Sequence, residues 1–304
     1  MIDLVCLGNV TIDDIVLPDG TTSMASFGGN TIYASLAASY WSDHVRLVAP
    51  IGIDYPDTHM KKLREVGWDL SGMPLRNIPT TRNWVVYEYD GRRTWIIRSN
   101  PEHFHDLSPL PHDIPESFLR AKSFLIMGME LSAEESLAPF LKSLGSVVCF
   151  DPQEDNMIGN QDRVFRLLKS VDIFLPSQVE VHRLLGHNDY ECAAREFVKQ
   201  GPKIVVIKMG GQGSLIYDSE QDQFIQIPIY PTEVKDTTGA GDSFCGGFMA
   251  MYIKTNDLRK AGLAGAVSAS FAIEGLGITD IFNVTRQDAE TRLNTMLFQS
   301  YNQL

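Results

Sequence analysis

Asp236-Thr-Thr-Gly-Ala-Gly-Asp-Ser-Phe places two glycines, two positions apart, directly before Asp242. Gly239 and Gly241 can take backbone angles closed to other residues. The apolar run Gly241–Ile253 predicts a buried helix starting at this turn. Gly239, Ala240 and Gly241 then present unpaired N–H groups at a helix N-terminus, a natural anion site. A carboxylate in that first turn would repel a resting phosphate. It is useful there if it takes the proton of a hydroxyl attacking phosphorus while the amides hold the transferring group. An isolated Asp near a helix start is usually only a cap. The two-glycine turn, the acid and the apolar helix together favour phosphoryl transfer with Asp242 as general base.

Other phosphate-binding patterns are missing. No Gly-x-x-x-x-Gly-Lys-Ser/Thr run occurs. Phe244 stands where a dinucleotide fingerprint needs its third glycine, and the turn lies late in the chain. The protein-kinase set of His-Arg-Asp, Asp-Phe-Gly and Val-Ala-Ile-Lys is absent.

Weaker candidates surround this one. Glu130 follows a predicted strand, where open sheets bind ligands, and Asp151-Pro152 ends another, as a turn or as part of a site. Arg92, Arg93 and Arg98 flank a predicted hairpin. Arg98 is the candidate substrate contact among them, against the plainer reading of a charged edge strand. Trp84, Tyr87, Tyr89 and Trp95 suit ring stacking or cross-strand pairing. His103-Phe-His105 lacks a third metal ligand nearby and reads as surface.

The elements that must position these groups alternate between short apolar strands and helices. Strands are expected at Leu4–Leu7, Val45–Ala49, Ser123–Met127, Val147–Phe150, Ile173–Leu175 and Ile204–Lys208. Helices are expected at Asn30–Trp41, Asp57–Val66, Ala133–Leu144, Asp162–Ser170, Gln178–Leu185, Cys192–Lys199, Leu258–Glu274 and Thr285–Phe298. This order predicts an α/β fold with a mostly parallel sheet covered on both faces. Two regions break it. Arg82–Ile97 carries Asp90-Gly91 between β-rich runs, a hairpin signal. With strand-like Val10–Leu17 it predicts a small antiparallel sheet over one edge. Gly213–Pro228 is a second hairpin.

The chain has 304 residues and a net charge of -12, which argues against a nucleic-acid binder. Its four cysteines form no paired motif and read as reduced thiols. No apolar stretch reaches about 18 residues, so no membrane span is expected, and the cytoplasm is the default compartment.

Asp236-Thr-Thr-Gly-Ala-Gly-Asp-Ser-Phe-Cys-Gly-Gly-Phe resembles the second signature of the ribokinase/PfkB family of carbohydrate and nucleoside kinases. Phe27-Gly-Gly-Asn30 resembles its first signature, Gly8 with Asp13 its early substrate loop, Leu175-Pro-Ser-Gln-Val-Glu180 its Asn-x-x-Glu motif, and Ile207-Lys-Met-Gly-Gly-Gln-Gly213 its nucleotide loop. The resemblance spans the chain. It implies a single ribokinase-like three-layer α/β/α domain over 1–304, with a β lid from roughly 10–20 and 72–100. It also implies transfer of the ATP γ-phosphoryl group to a hydroxymethyl group of a sugar or polyol, with a nucleoside as the alternative acceptor. Asp242 would be the base, and Gly239, Ala240 and Gly241 the anion hole. Asp13, Gly28, Gly29 and Asn30 would meet the substrate. Lys208, Gly210 and Gly213 would line the nucleotide site. Glu180 would organise Mg2+ through water. Asp236 and Thr238 fall where some members hold a monovalent cation such as K+. The lid would also form a homodimer contact. Three positions depart from the family pattern: Ser177 replaces the Asn of Asn-x-x-Glu, Lys208 stands where many members have Thr, and Tyr33 where many have Asn.

Overall fold

Leu4 and Cys6 of the first strand are buried in one apolar cluster, and Val5 and Leu7 in another. A strand apolar on both faces has to be covered on both. The rest of the chain, a computed structural model describing residues 1–89, 93–98 and 100–301, supplies those covers.

The strands are β1 Leu4–Leu7, β2 Thr11–Val16, β3 Thr22–Gly28, β4 Val45–Val48, β5 Ile51–Gly52, β6 Leu75–Arg76, β7 Arg82–Tyr87, β8 Arg93–Ile97, β9 Ser123–Ile126, β10 Val147–Phe150, β11 Ile173–Phe174, β12 Ile204–Lys208, β13 Ser214–Asp218 and β14 Gln223–Ile227. The helices are α1 Asn30–Ser39, α2 Asp57–Glu65, α3 Pro101–Asp106, α4 Leu131–Ser143, α5 Gln161–Leu168, α6 Gln178–Leu185, α7 Tyr190–Val198, α8 Ala240–Thr255, α9 Leu258–Ile273 and α10 Arg286–Tyr301.

The main sheet runs β14-β13-β12-β11-β10-β9-β1-β4. It is parallel from β4 to β12 and antiparallel at β13 and β14. Apolar side chains of α1, α8, α9 and α10 pack in the cluster on one face, and those of α4 to α7 in the cluster on the other. Chain order runs outward from β1 in both directions, so the carboxyl ends of neighbouring strands open a crevice at a topological switch point.

A second sheet, β3-β2-β7-β8, stands apart. It differs from expectation in two ways. β2 and β7 pair in parallel, so the sheet is mixed; the chain leaves through α1, β4 and α2 before returning. It also takes in β3, outside the expected 10–20, while segment 72–81 lies outside it, with β6 pairing β5 instead. Thr22-Ser-Met-Ala-Ser-Phe-Gly has small residues where a strand would alternate large apolar ones, and the ladder is irregular between Asp13 and Ile15, with Ala25 at φ 51°. Helix α3 was also unexpected, although Asn100 caps it and Pro101 opens it. The expected turn at Asp90-Gly91, and Arg92 and Ser99, lie outside the described residues.

Candidate active site

The loops after β1, β9, β10, β11 and β12, together with the N-termini of α1 and α8, meet at one edge of the main sheet. Asn30, the first residue of α1, ties two of these loops. Its Oδ1 accepts from Asn9 N–H at 3.1 Å, and its Nδ2 donates to Gly128 O. Gly29 takes φ 99°, and a Cβ there would collide with the Asn9 carbonyl. Gly28 has no room for a side chain because Asp13 and Thr11 press against it. The first signature thus works largely through close backbone approach.

Gly239, at φ 72°, is the N-cap of α8, and Asp242 lies in the first turn. A Cβ on Gly239 would run into the Tyr33 ring. Tyr33 is therefore the floor of the turn, which accounts for the space its larger side chain fills. Burial raises the Tyr33 phenol far above its ordinary pKa, with the charges of Asp236, Asp13 and Asp242 adding to it. These carboxylates therefore surround one region. Asp236 is buried and accepts from Tyr87 Oη, from Thr238 N at 2.7 Å and from Gly277 N at 3.0 Å. Thr238 Oγ1 also meets Tyr87 Oη, at 2.9 Å. Together these bonds lock the α8 turn to β7.

Asp13 faces the main body from β2. It accepts from Thr11 Oγ1 at 2.9 Å and Asn83 Nδ2 at 3.0 Å. Burial pushes its carboxyl up to about 6 against those bonds, helped by Asp14 and Asp236. Asp14 takes the opposite environment. Arg82 grips it at 2.8 Å through both Nε and Nη2, Arg98 Nη1 reaches it at 3.0 Å, and Ala25 N–H donates at 2.8 Å. Burial opposes its charge, but these partners hold its pKa below the usual value.

Lys208, at the end of β12, has only 13% of its side chain exposed and pairs with Asp151 at the end of β10. Its Nζ is 3.6 Å from Cys245 Sγ and 3.5 Å from where a Cβ would stand on Gly241. Burial opposes its charge, but Asp151, Cys245 and Glu180 hold the ammonium protonated. Glu180 completes a capping box with Ser177 at the start of α6. Burial raises its pKa while Lys208 lowers it. Ser177 therefore caps α6 where the family has Asn. The nucleotide loop turns through Gly210–Gln212, and Gly213, at φ 83°, leaves no space for a Cβ against Ile227 O.

Two expected contacts are committed elsewhere. Glu130 caps α4, accepting from Ser132 N and Ala133 N, and faces His105 at 3.3 Å. Arg98 belongs to the Asp14 cluster and lies over the Trp84 ring at 5.3 Å. Away from the crevice, His187, Cys192 and Glu196 are close enough to hold a metal. However, Asp189 N–H donates to His187 Nδ1 at 3.3 Å. Cys192 Sγ in turn donates to Glu196 Oε1 at 3.4 Å, so these groups already have partners among themselves and their neighbours.

Sequence reading passed over Asn83 and did not give Tyr87 its anchoring role. Period-two alternation in Arg82–Tyr87 puts Asn83, Val85 and Tyr87 on one face. That signal was available. Which face meets Asp13 was not, because the register of β2 on β7 decides it.

Comparison with known proteins agrees with this geometry. Residues 1–284 match the model of the pfkB family carbohydrate kinases. A cytidine kinase of Thermococcus kodakarensis is 32% identical over 86% of this chain and 92% of its own. A candidate ribokinase II of Escherichia coli, solved with ATP and Mg2+, superposes with a TM-score of 0.80 at 21% identity, over 97% of this chain and 100% of its own. A Burkholderia thailandensis nucleoside kinase solved with inosine gives 0.79 at 17% identity, over 96% and 97%. No helix among the described residues is long and apolar enough to cross a membrane. A glycine turn followed by an acid in the first turn of a buried helix, set in a ribokinase-like fold and matched by that family model along nearly the whole chain, leads to one conclusion: the chain belongs to the pfkB carbohydrate kinase family, phosphotransferases that act on hydroxyl groups of sugars and nucleosides.

Proposed function

We propose that this kinase transfers the γ-phosphoryl group of ATP to the hydroxymethyl group of a ribosyl acceptor, and that the acceptor is a nucleoside in preference to a free sugar. The observation that carries this is the 32% identity to a cytidine kinase over 86% of the chain. The sheet geometry supports it. Val85 pairs with Trp95 and Asn83 with Ile97, so these residues share the face that carries Asp13. Trp95 is 43% exposed and Ile97 57%, an apolar platform at the rim that suits a base. Arg82 and Arg98 are spent on Asp14, and buried Asp13 accepts hydrogen bonds, both of which favour a neutral acceptor over a phosphorylated one.

In this reading Asp13, with the backbone of Gly28 and Gly29, orients the acceptor. Asp242 takes the proton of the attacking hydroxyl. The amides from Gly239 to Asp242 hold the γ-phosphoryl oxygens. Gly210 and Gly213 shape the nucleotide loop. Asp151, just past β10, and Glu180, in the first turn of α6, are buried carboxylates that fit a hard divalent cation that takes oxygen ligands. When bound, Mg2+ neutralises phosphate charge. The second sheet closes over the acceptor and excludes water. Its outer face exposes Met24, Trp84 and Ile96, and a second copy of the chain covers that face.

Initial rates with ATP and Mg2+ should be compared for cytidine, uridine, inosine, ribose and ribose 5-phosphate. A nucleoside should exceed ribose in kcat/KM by more than about tenfold, roughly 1.4 kcal/mol. If ribose wins by that margin, the sugar reading replaces this one. If ribose 5-phosphate wins, the neutral-acceptor argument is wrong.

A further inference from the structure

Lys208 differs from what a nucleotide-loop residue needs to be. It leaves the loop for the interior, and its ammonium stops beside the first turn of α8, 3.5 Å from the position of a Gly241 Cβ. Asp151 pairs with the ammonium directly. An ammonium has three donors; Asp151 takes one and Cys245 Sγ, at 3.6 Å, another, which leaves one beside the glycine turn for a ligand.

We propose that Lys208 is a catalytic cation whose ammonium is shared between Asp151 and the oxygens of the transferring γ-phosphoryl group. This rests on the kinase reading above and adds a contact to it. As the acceptor oxygen forms its bond to Pγ, the bond from Pγ to the bridging oxygen breaks. The electron pair leaves with ADP, and the proton goes to the Asp242 carboxylate. Negative charge stays on the equatorial oxygens throughout, next to the amides of the turn and the fixed ammonium. Asp151 acts as a positioning residue that keeps Lys208 aimed at Gly241.

The test separates phosphate contact from loop shaping. Binding of ATP and of adenosine is measured by calorimetry in EDTA, without metal, for wild type, Lys208→Thr and Lys208→Arg. Turnover is measured with Mg2+. Lys208→Thr should weaken ATP by at least about tenfold and leave adenosine within about twofold. It should also lower kcat by about 10²–10³, the usual effect of removing one oxyanion donor. Lys208→Arg should recover most of the ATP affinity. Melting curves check that each variant is folded. If Lys208→Thr is not, Lys208→Gln, which keeps a neutral donor for Asp151, takes its place with the same expectations. Equal weakening of ATP and adenosine, or unchanged ATP affinity and kcat, overturns the proposal and leaves the kinase reading intact. A wild type that neither binds ATP nor turns over overturns both.

Discussion

In the proposed mechanism phosphate meets backbone amides at the α8 turn, which is held by one positive-φ glycine and a ring beneath it. On the second sheet the groups proposed to meet the acceptor are side chains. Asp13 and Asp14 are adjacent in sequence and both buried, yet they face different partners. Asp13 has neutral donors and a pKa raised to about 6; Asp14 has two guanidiniums and a lowered one. A backbone site depends on local dihedral angles and tolerates much change around it. A side-chain site depends on strand register, where a slip of one residue would exchange the two aspartates.

The comparison can be broken most sharply at Asp242. Asp242→Asn should keep the fold and ATP binding while lowering kcat by about 10²–10⁴. Wild-type kcat in a folded variant would remove the general-base assignment. At Gly239 the backbone itself is at issue. Gly239→Ala adds about 1–3 kcal/mol of strain at positive φ and pushes on Tyr33. Its melting temperature and kcat should fall together. An unperturbed variant would show that the turn is not defined by its glycine.

Asp13 should respond to pH, which the amide turn cannot do. Its carboxyl is protonated below about 6, so kcat/KM for the acceptor should fall on the acid side of that value. Asp13→Asn should lower kcat/KM by about 10–100-fold, from the loss of a charged hydrogen-bond acceptor. The stability sign is opposite. A folded pKa above the ordinary value means that the contribution is complete at low pH and is lost as pH rises through about 6. The Asn variant should therefore melt above wild type at pH 8. Lower melting there, or an acid limb unchanged in the variant, would sink this assignment.

The second sheet should also differ from the α8 turn in mobility. Amide exchange in β7 and β8 should slow on adding acceptor and nucleotide, and sedimentation should give a dimer. Exchange unaffected by ligands in a monomeric protein would refute the lid and the dimer alike. The smallest effect is expected at Arg98. Its side chain is 44% exposed, and Arg82 also holds Asp14. Arg98→Ala should cost about 0–1 kcal/mol and change kcat/KM less than threefold. A tenfold loss would restore Arg98 as a substrate contact.

The parallel strands of the main sheet, β1, β4 and β9 to β12, and the helices packed on them were readable because apolar strands buried on both faces have a composition that needs no partner to recognise. The Asp236–Phe244 run was readable because its chemistry lies in consecutive residues: glycine angles, a helix start and an acid in its first turn. Nothing local said that Thr22–Gly28 would join β2, since its small residues become a strand only when the neighbour's hydrogen bonds hold them. Nor did the chain show that Glu130 would turn to cap its own helix, or that Arg98 would turn to Asp14. Tyr33 under Gly239, Tyr87 on Asp236 and Lys208 beside Gly241 link residues that are far apart in sequence. Sequence settled what each stretch could do alone, because dihedral preference and hydrophobic period are local. Tertiary structure decided which charges meet, because the partner of a buried charge is set by packing and register across the whole chain.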